Sequence, residues 1–284
     1  MIRNPAVAGT FYEADPDSLN KQIKGCFKHH LGPGTIPENI GNSREIKSII
    51  APHAGYLYSG PVAAHSYKKL ADDGLPETFI IICPNHTGMG SGVSTVTEGG
   101  WKTPLGLADI DGEFAERLIG NAPIIDPEPL AHMQEHSCEV QVPFIQYLAQ
   151  IAGKEFKIVP ICMWMQDLMT ATEIGNAVAQ TCKQLDRDVV IVASTDFTHY
   201  KPHDIAYNND HLVLDAIQAL DEKAVMSRVE ELNVTMCGFG PVNTALVYSK
   251  LMGARDVEVL KYATSGDITG DKSAVVGYAA AVIK

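Results

Sequence analysis

Thr78-Phe79-Ile80-Ile81-Ile82-Cys83-Pro84-Asn85-His86 is the stretch on which the fold turns. Its apolar run is too short for a core helix and is closed by proline, so it predicts a buried strand. Two further stretches repeat the plan: Ile49-Ile50-Ala51-Pro52-His53-Ala54-Gly55, and Val190-Ile191-Val192-Ala193-Ser194-Thr195-Asp196-Phe197-Thr198-His199. Each strand runs into a loop bearing imidazole or carboxylate. In an open α/β sheet, ligands bind in the crevice beyond the carboxyl ends of the strands. Three such loops predict one converging polar site, suited to a metal centre with an acid/base partner.

Outward from these strands, helical and strand patterns alternate. Helices are expected over residues 16–30, 60–70, 113–119, 138–151, 171–185, 204–220, 223–232 and 240–252. Asp15 and Asp111 stand as N-caps, and Pro61 and Pro241 fall in opening turns. Pro143 either kinks its helix or marks the true start. Strands are expected at 47–51, 78–83, 93–97, 156–162, 189–193, 257–264 and 274–283, the 189–193 strand buried on both faces. The alternation predicts an α/β layered fold, and no repeat or linker divides residues 1–284, so one domain is expected.

Of the 284 residues, 45% are hydrophobic and 20% charged, as in ordinary globular chains. The net charge of −12, without a dense Lys/Arg run, argues against nucleic acid and anionic lipid as partners. No apolar stretch is long enough to span a bilayer, and the N-terminus lacks a signal-peptide core, so a cytoplasmic protein is expected. The six cysteines form no Cys-x-x-Cys pair, which removes a zinc knuckle or a thioredoxin-like motif.

Several residues carry chemistry in more than one way. His53, among small residues, is either a ligand or a loop histidine capping a helix. His86 is either a turn residue or a partner of His53, since imidazole suits first-row metals. Asp196 and His199 are spaced for an oriented general acid/base or, more simply, for an N-cap beside a surface imidazole. Within Gln134-Glu135-His136-Ser137-Cys138-Glu139, His136 leans toward function and Glu139 toward structure. Cys237, just before a helix, is a soft ligand, a nucleophile favoured by the helix end, or an inert thiol. His29, His30, His65, His132, His203 and His211 read as surface or packing residues.

These motifs, in this order, resemble the Memo family. The resemblance rests on Arg3-x-Pro5-x-x-Ala8-Gly9-x-Phe11-Tyr12, Ala51-Pro52-His53-Ala54-Gly55-Tyr56-x-Tyr58-x-Gly60 and the His86 loop. It continues through Glu135-His136-Ser137-x-Glu139-x-Gln141-x-Pro143-Phe144, Ser194-x-Asp196-Phe197-x-His199 and Cys237-Gly238, so it spans nearly the whole chain. It implies an α/β/α sandwich similar to class III extradiol dioxygenases. It further implies His53, His86 and Cys237 as metal ligands, His199 as acid/base with Asp196 in support, and Tyr58 and Phe11 as pocket-lining aromatics. Animal members imply iron or copper handling, or phosphotyrosine-peptide binding.

In the dioxygenases the third ligand is a carboxylate, and Cys237 in that place is softer and oxidisable. The leading expectation is a non-haem Fe(II) site, copper being the other candidate. If the protein is an enzyme, oxygen insertion into a small aromatic substrate is expected. The rivals are a non-enzymatic metal-handling or peptide-binding module, and a hydrolase working through Cys237 or a metal-bound water.

Overall fold

The computed structural model describes all residues, Met1–Lys284. Five parallel strands form the middle of a mixed sheet: β1 (Ser48–Ala51), β2 (Thr78–Pro84), β3 (Gly106–Ile110), β4 (Lys157–Met163) and β5 (Val189–Ser194). They lie in the order β3-β4-β2-β5-β1. Two antiparallel strands, β6 (Val257–Thr264) and β7 (Val275–Ile283), extend the sheet, β7 pairing with both β1 and β6. The longer helices are α1 (Pro16–Lys28), α2 (Gly60–Asp73), α3 (Gly112–Asn121), α4 (Val142–Ala152), α5 (Leu168–Leu185), α6 (His203–Gln218), α7 (Glu222–Glu231) and α8 (Phe239–Leu251).

The alternation of side chains along a strand divides β2 between two cores. Ile80 and Ile82 pack with Phe114 of α3, Ile174 and Val178 of α5 and Leu246 of α8. Phe79, Ile81 and Cys83 pack on the opposite side with Leu19 and Ile23 of α1, Tyr67 and Leu70 of α2, and Ile145 and Leu148 of α4. A strand covered on both faces needs apolar residues at every position, which is the physical basis of the unbroken run. The chain is thus a three-layer α/β/α sandwich, the α/β layering expected from the alternating elements and the sandwich from the family resemblance. None of its helices is long and apolar enough to cross a membrane.

Most elements fall within a few residues of expectation, and two departures are informative. The helix expected over 138–151 opens as a 3₁₀ turn, Glu139–Gln141, before α4. Pro143 sits in the first turn of α4, where its missing N–H would have had no partner anyway, so it marks the start and not a kink. The antiparallel hairpin of Gly100–Thr103 with β3 was not anticipated. Its strands are short and adjoin Gly99, Pro104 and Gly106, all residues that read as loop.

Ile2–Arg3 adds to the outer strand of that hairpin. It carries Arg3 into the interior, where its guanidinium pairs with Glu139 at 2.7 Å.

Candidate metal centre

Because β2, β5 and β1 are neighbours, the loops leaving them emerge side by side. His86, Asp196 and His53 each stand two residues beyond the last residue of their strands. Cys237 arrives from the turn before α8, its Sγ 3.1 Å from His53 Nε2. One donor atom from each of His53, His86 and Cys237 lies within 4.8 Å of the other two. His86, Glu135 and His136 form a second, overlapping group under the same distance.

The hydrogen bonds around His53 fix its tautomer. Ser194 Oγ donates its only proton to the Ser137 carbonyl at 2.7 Å and accepts from Gln141 Nε2 at 2.8 Å. His53 Nδ1, 2.9 Å from the same oxygen, must therefore be the N–H that donates to it. The lone pair is left on Nε2, facing Cys237. Burial, then the neighbouring His86, His136 and His199, hold the His53 pKa well below the usual range, so the ring is neutral. Gln141 is itself fixed by Tyr67, whose hydroxyl donates to Oε1 at 2.8 Å, and by the Pro52 carbonyl, which accepts from Nε2 at 3.0 Å.

Glu135 does the same for the other imidazoles. Its fully buried carboxylate accepts from His86 Nδ1 at 2.9 Å, and His136 Nδ1 lies 3.3 Å away. It also accepts from the Ser137 backbone N–H and hydroxyl at 2.9 and 2.7 Å. Burial alone would raise its pKa, but the hydrogen bond and charge of His86 and the backbone donors hold it at about 2. Burial would lower His86, and Glu135 more than offsets this, so its pKa is raised. His136 is lowered, chiefly by burial. The three rings form one cluster, with centroids 5.2 Å apart for His53 and His86, 5.5 Å for His53 and His136, and 4.7 Å for His86 and His136.

The remaining expected residues divide. Phe11 packs on the cluster, 4.7 Å from the His136 ring centroid. Tyr58 is 40% exposed, so it is not a buried wall of the pocket. No hydrogen bond joins Asp196 to His199, and what links them is charge. Asp196 Oδ1 accepts instead from the His53 backbone N–H at 2.8 Å. Burial raises the Asp196 pKa to about 6 against the pull of that bond and of the His199 charge. His199 turns Nδ1 to the Thr235 carbonyl at 2.8 Å, so Nδ1 carries a hydrogen and Nε2 is the nitrogen left free of that bond.

Burial and the Asp196 charge push the Cys237 thiol up, outweighing the backbone hydrogen bond from Asp196, so the helix end does not by itself yield a thiolate. A bound cation would reverse that balance, since a coordinating thiol loses its proton. Glu139 binds the N-terminal segment, the structural part expected of it.

Glu135, Ser194 and Gln141 were not singled out from sequence as site residues. The available signal was position: Ser194 ends an otherwise apolar strand, and Gln141 stands just before the apolar first turn of α4. Buried polar groups of that kind need partners.

A family model described as "Memo-like protein" matches residues 3–282. The chain belongs to this family. A MEMO1 family protein of Methanothermobacter thermautotrophicus is 55% identical over 279 residues, covering 98% of this chain and 99% of the relative. A MEMO1 family protein of Methanopyrus kandleri is 53% identical over 284 residues, covering 100% and 99%. Among solved structures, an uncharacterized protein of Escherichia coli K12 superposes with a TM-score of 0.56 at 14% identity, over 84% of this chain and 99% of that one, a likeness of fold.

In this Memo-family chain the donor set fits a transition metal. Two imidazoles and a sulfur converge, and each imidazole has its other nitrogen engaged, His53 by a hydroxyl and His86 by a carboxylate. That arrangement is typical of metal-ligating histidines.

The Cys237 turn depends on Gly238. A Cβ there would press on the Ser194 carbonyl and sit 2.7 Å from Thr195 Cβ. Gly238→Ala is expected to cost about 1–3 kcal/mol through overpacking. It should also speed alkylation of Cys237, because the turn must move outward. Urea denaturation and thiol-labelling rates test this, and unchanged values for both would refute it.

Proposed function

We propose that this Memo-family protein binds Fe(II) through His53, His86 and Cys237 and supports oxygen-dependent oxidation of a small aromatic substrate. The observation that carries the reading is the convergence of those three donors within 4.8 Å from separate loops at one sheet edge. A bound Fe(II) supplies the redox couple and the open positions that oxygen chemistry needs.

The chain's own residues do the rest. Ser194 and Glu135 fix the rings of His53 and His86. Phe11 offers an apolar face beside His136 for a flat substrate. His199 Nε2 accepts the substrate proton, its Nδ1 being tied to Thr235. The six unpaired cysteines suit a reducing compartment.

Anaerobic Fe(II) titration, followed by metal analysis and calorimetry, tests the site. Wild type is expected to take one equivalent, and His53→Ala, His86→Ala and Cys237→Ala to lose it. Absent binding, or binding indifferent to all three changes, overturns the proposal.

A second reading is favoured by the sulfur donor itself. A thiolate in place of a carboxylate suits Cu(I) and a metal-handling role without turnover, with a small molecule or peptide as partner. Tight Cu(I) binding with no catechol-dependent oxygen uptake would support it, and steady uptake would remove it.

A further inference from the structure

β7 ties two of the site's imidazoles together. Near its start Val276 is paired with His199, and further along Ala281 is paired with Ile50 of β1, the strand that leads to His53. Tyr278 lies between these two points. Ile49 opposes Val282 and Ile50 opposes Ala281, so the same register, carried past the end of β1, sets His53 at the level of Tyr278. Opposite residues of an antiparallel pair share a face. The Tyr278 ring clusters on that face with Val62 of α2 and with Ala54, the residue after His53.

Tyr278 is only 2% exposed. Tyr12, Tyr56 and Tyr67, buried on the same side of the sheet, each donate the hydroxyl: to Glu139, to the Val140 carbonyl and to Gln141. The Tyr278 hydroxyl meets no partner in the protein, and the little surface the residue keeps includes that oxygen. The ring nitrogens of His132 also lack partners, but both are sealed in the interior, where no ligand meets them. A buried hydroxyl without a partner is costly, and such groups are rare enough to call for a cause.

The surroundings of the hydroxyl belong to the metal centre. Burial, and then Asp196, Tyr58 and Tyr200, hold the phenol above its usual range, so it keeps its proton at pH 7. Asp196 in turn accepts from the His53 backbone and turns its own N–H to Cys237 Sγ at 3.2 Å. A neutral donor with nothing to bond thus stands beside the residues that frame the donor set.

We propose that the Tyr278 hydroxyl is a substrate contact, donating to an oxygen carried on the ring of the bound aromatic molecule. The assignment rests on the reading of the site as an Fe(II) centre for a small aromatic substrate, and it narrows that class to rings that bear an acceptor oxygen. When His199 Nε2 takes the proton of a ring hydroxyl, the O–H electron pair stays on the oxygen. Tyr278 then donates to that oxygen without bringing a charge of its own, and such a bond strengthens as negative charge develops.

4-Nitrocatechol is the probe, added without oxygen to the Fe(II)-loaded protein and followed by its visible absorbance. Tyr278→Phe deletes only the unpartnered hydroxyl. The variant is expected to take up Fe(II) as wild type does and to melt no lower, yet to bind the probe about tenfold more weakly. Equal affinity in the two proteins overturns the proposal. So does a variant that unfolds or loses iron, because the hydroxyl then serves the fold, and so does iron-loaded wild type that ignores the probe. Failure of the Fe(II) reading shows separately and earlier: wild type then takes up no iron before any probe is added, and the substrate contact falls with it.

Discussion

Glu135→Gln is expected to weaken Fe(II) binding by about 10- to 100-fold and to remove much of the acid sensitivity of the fold. The reason lies in how many donors one carboxylate meets. Its Oε1 accepts from the His86 ring and from the Ser137 N–H and hydroxyl, and its Oε2 accepts from the His86 backbone. An amide has one oxygen and one NH₂, so in either orientation a donor faces a donor. With the oxygen at the Oε1 position the NH₂ opposes the His86 backbone N–H, and in the flipped orientation it opposes the His86 ring and Ser137, so His86 is pushed from its place either way and His136 loses its neighbouring charge. The drop of the carboxyl from 4.5 to about 2 corresponds to about 3 kcal/mol of stability.

The sign follows from the depressed pKa. That stability is fully present above the ordinary value of 4.5 and is lost as pH falls toward 2. Urea denaturation at pH 7 and pH 3 should show wild type losing its advantage over Glu135→Gln in acid. Parallel pH profiles would refute the role assigned to the carboxylate.

The second large effect is expected at Glu139. Its Oε1 accepts from the Tyr12 hydroxyl at 2.6 Å and the Val7 N–H at 3.1 Å, and its Oε2 from the Ala6 N–H at 2.8 Å beside the Arg3 pair. Glu139→Ala strands a buried guanidinium and frees the anchored stretch from Arg3 to Tyr12. Removing one member of a buried ion pair costs about 3–5 kcal/mol, chiefly because the other charge is left without compensation. Chemical denaturation should show a loss in that range, with earlier proteolytic cleavage near the N-terminus. A loss below about 1 kcal/mol, the scale of an exposed pair, would contradict it. The double variant with Arg3→Met should lose less than the two single changes together, since they share one interaction.

The sequence made the scaffold readable because packing left a periodic trace. β2 and β5 are covered on both faces, so their apolar runs could only be buried strands, and helices with one apolar face had to lie against them. The Gly100–Thr103 hairpin escaped because short, partly exposed strands at a sheet margin need no such run. Within the site, His53, His86 and Cys237 were visible as unusual residues at strand or helix ends. The roles of Glu135, Ser194 and Gln141 were not, since each depends on a partner distant in the chain. The same holds for Asp196 and His199. Their spacing suggested a pair, but the backbone of His53 and the carbonyl of Thr235 compete for them and win. His132 looked like packing, and its lack of partners is a property of three-dimensional surroundings alone.

His53 and Cys237 touch although 184 residues of chain separate them. The order of synthesis follows from this. A ribosome finishes both histidines and most of the sheet long before the sulfur exists, so any ligand that requires all three loops finds no home on the nascent chain. Loading of such a ligand would therefore be an event of the finished molecule. Because such a ligand favours only the closed arrangement, its retention would record that α8 has docked against the His53 loop.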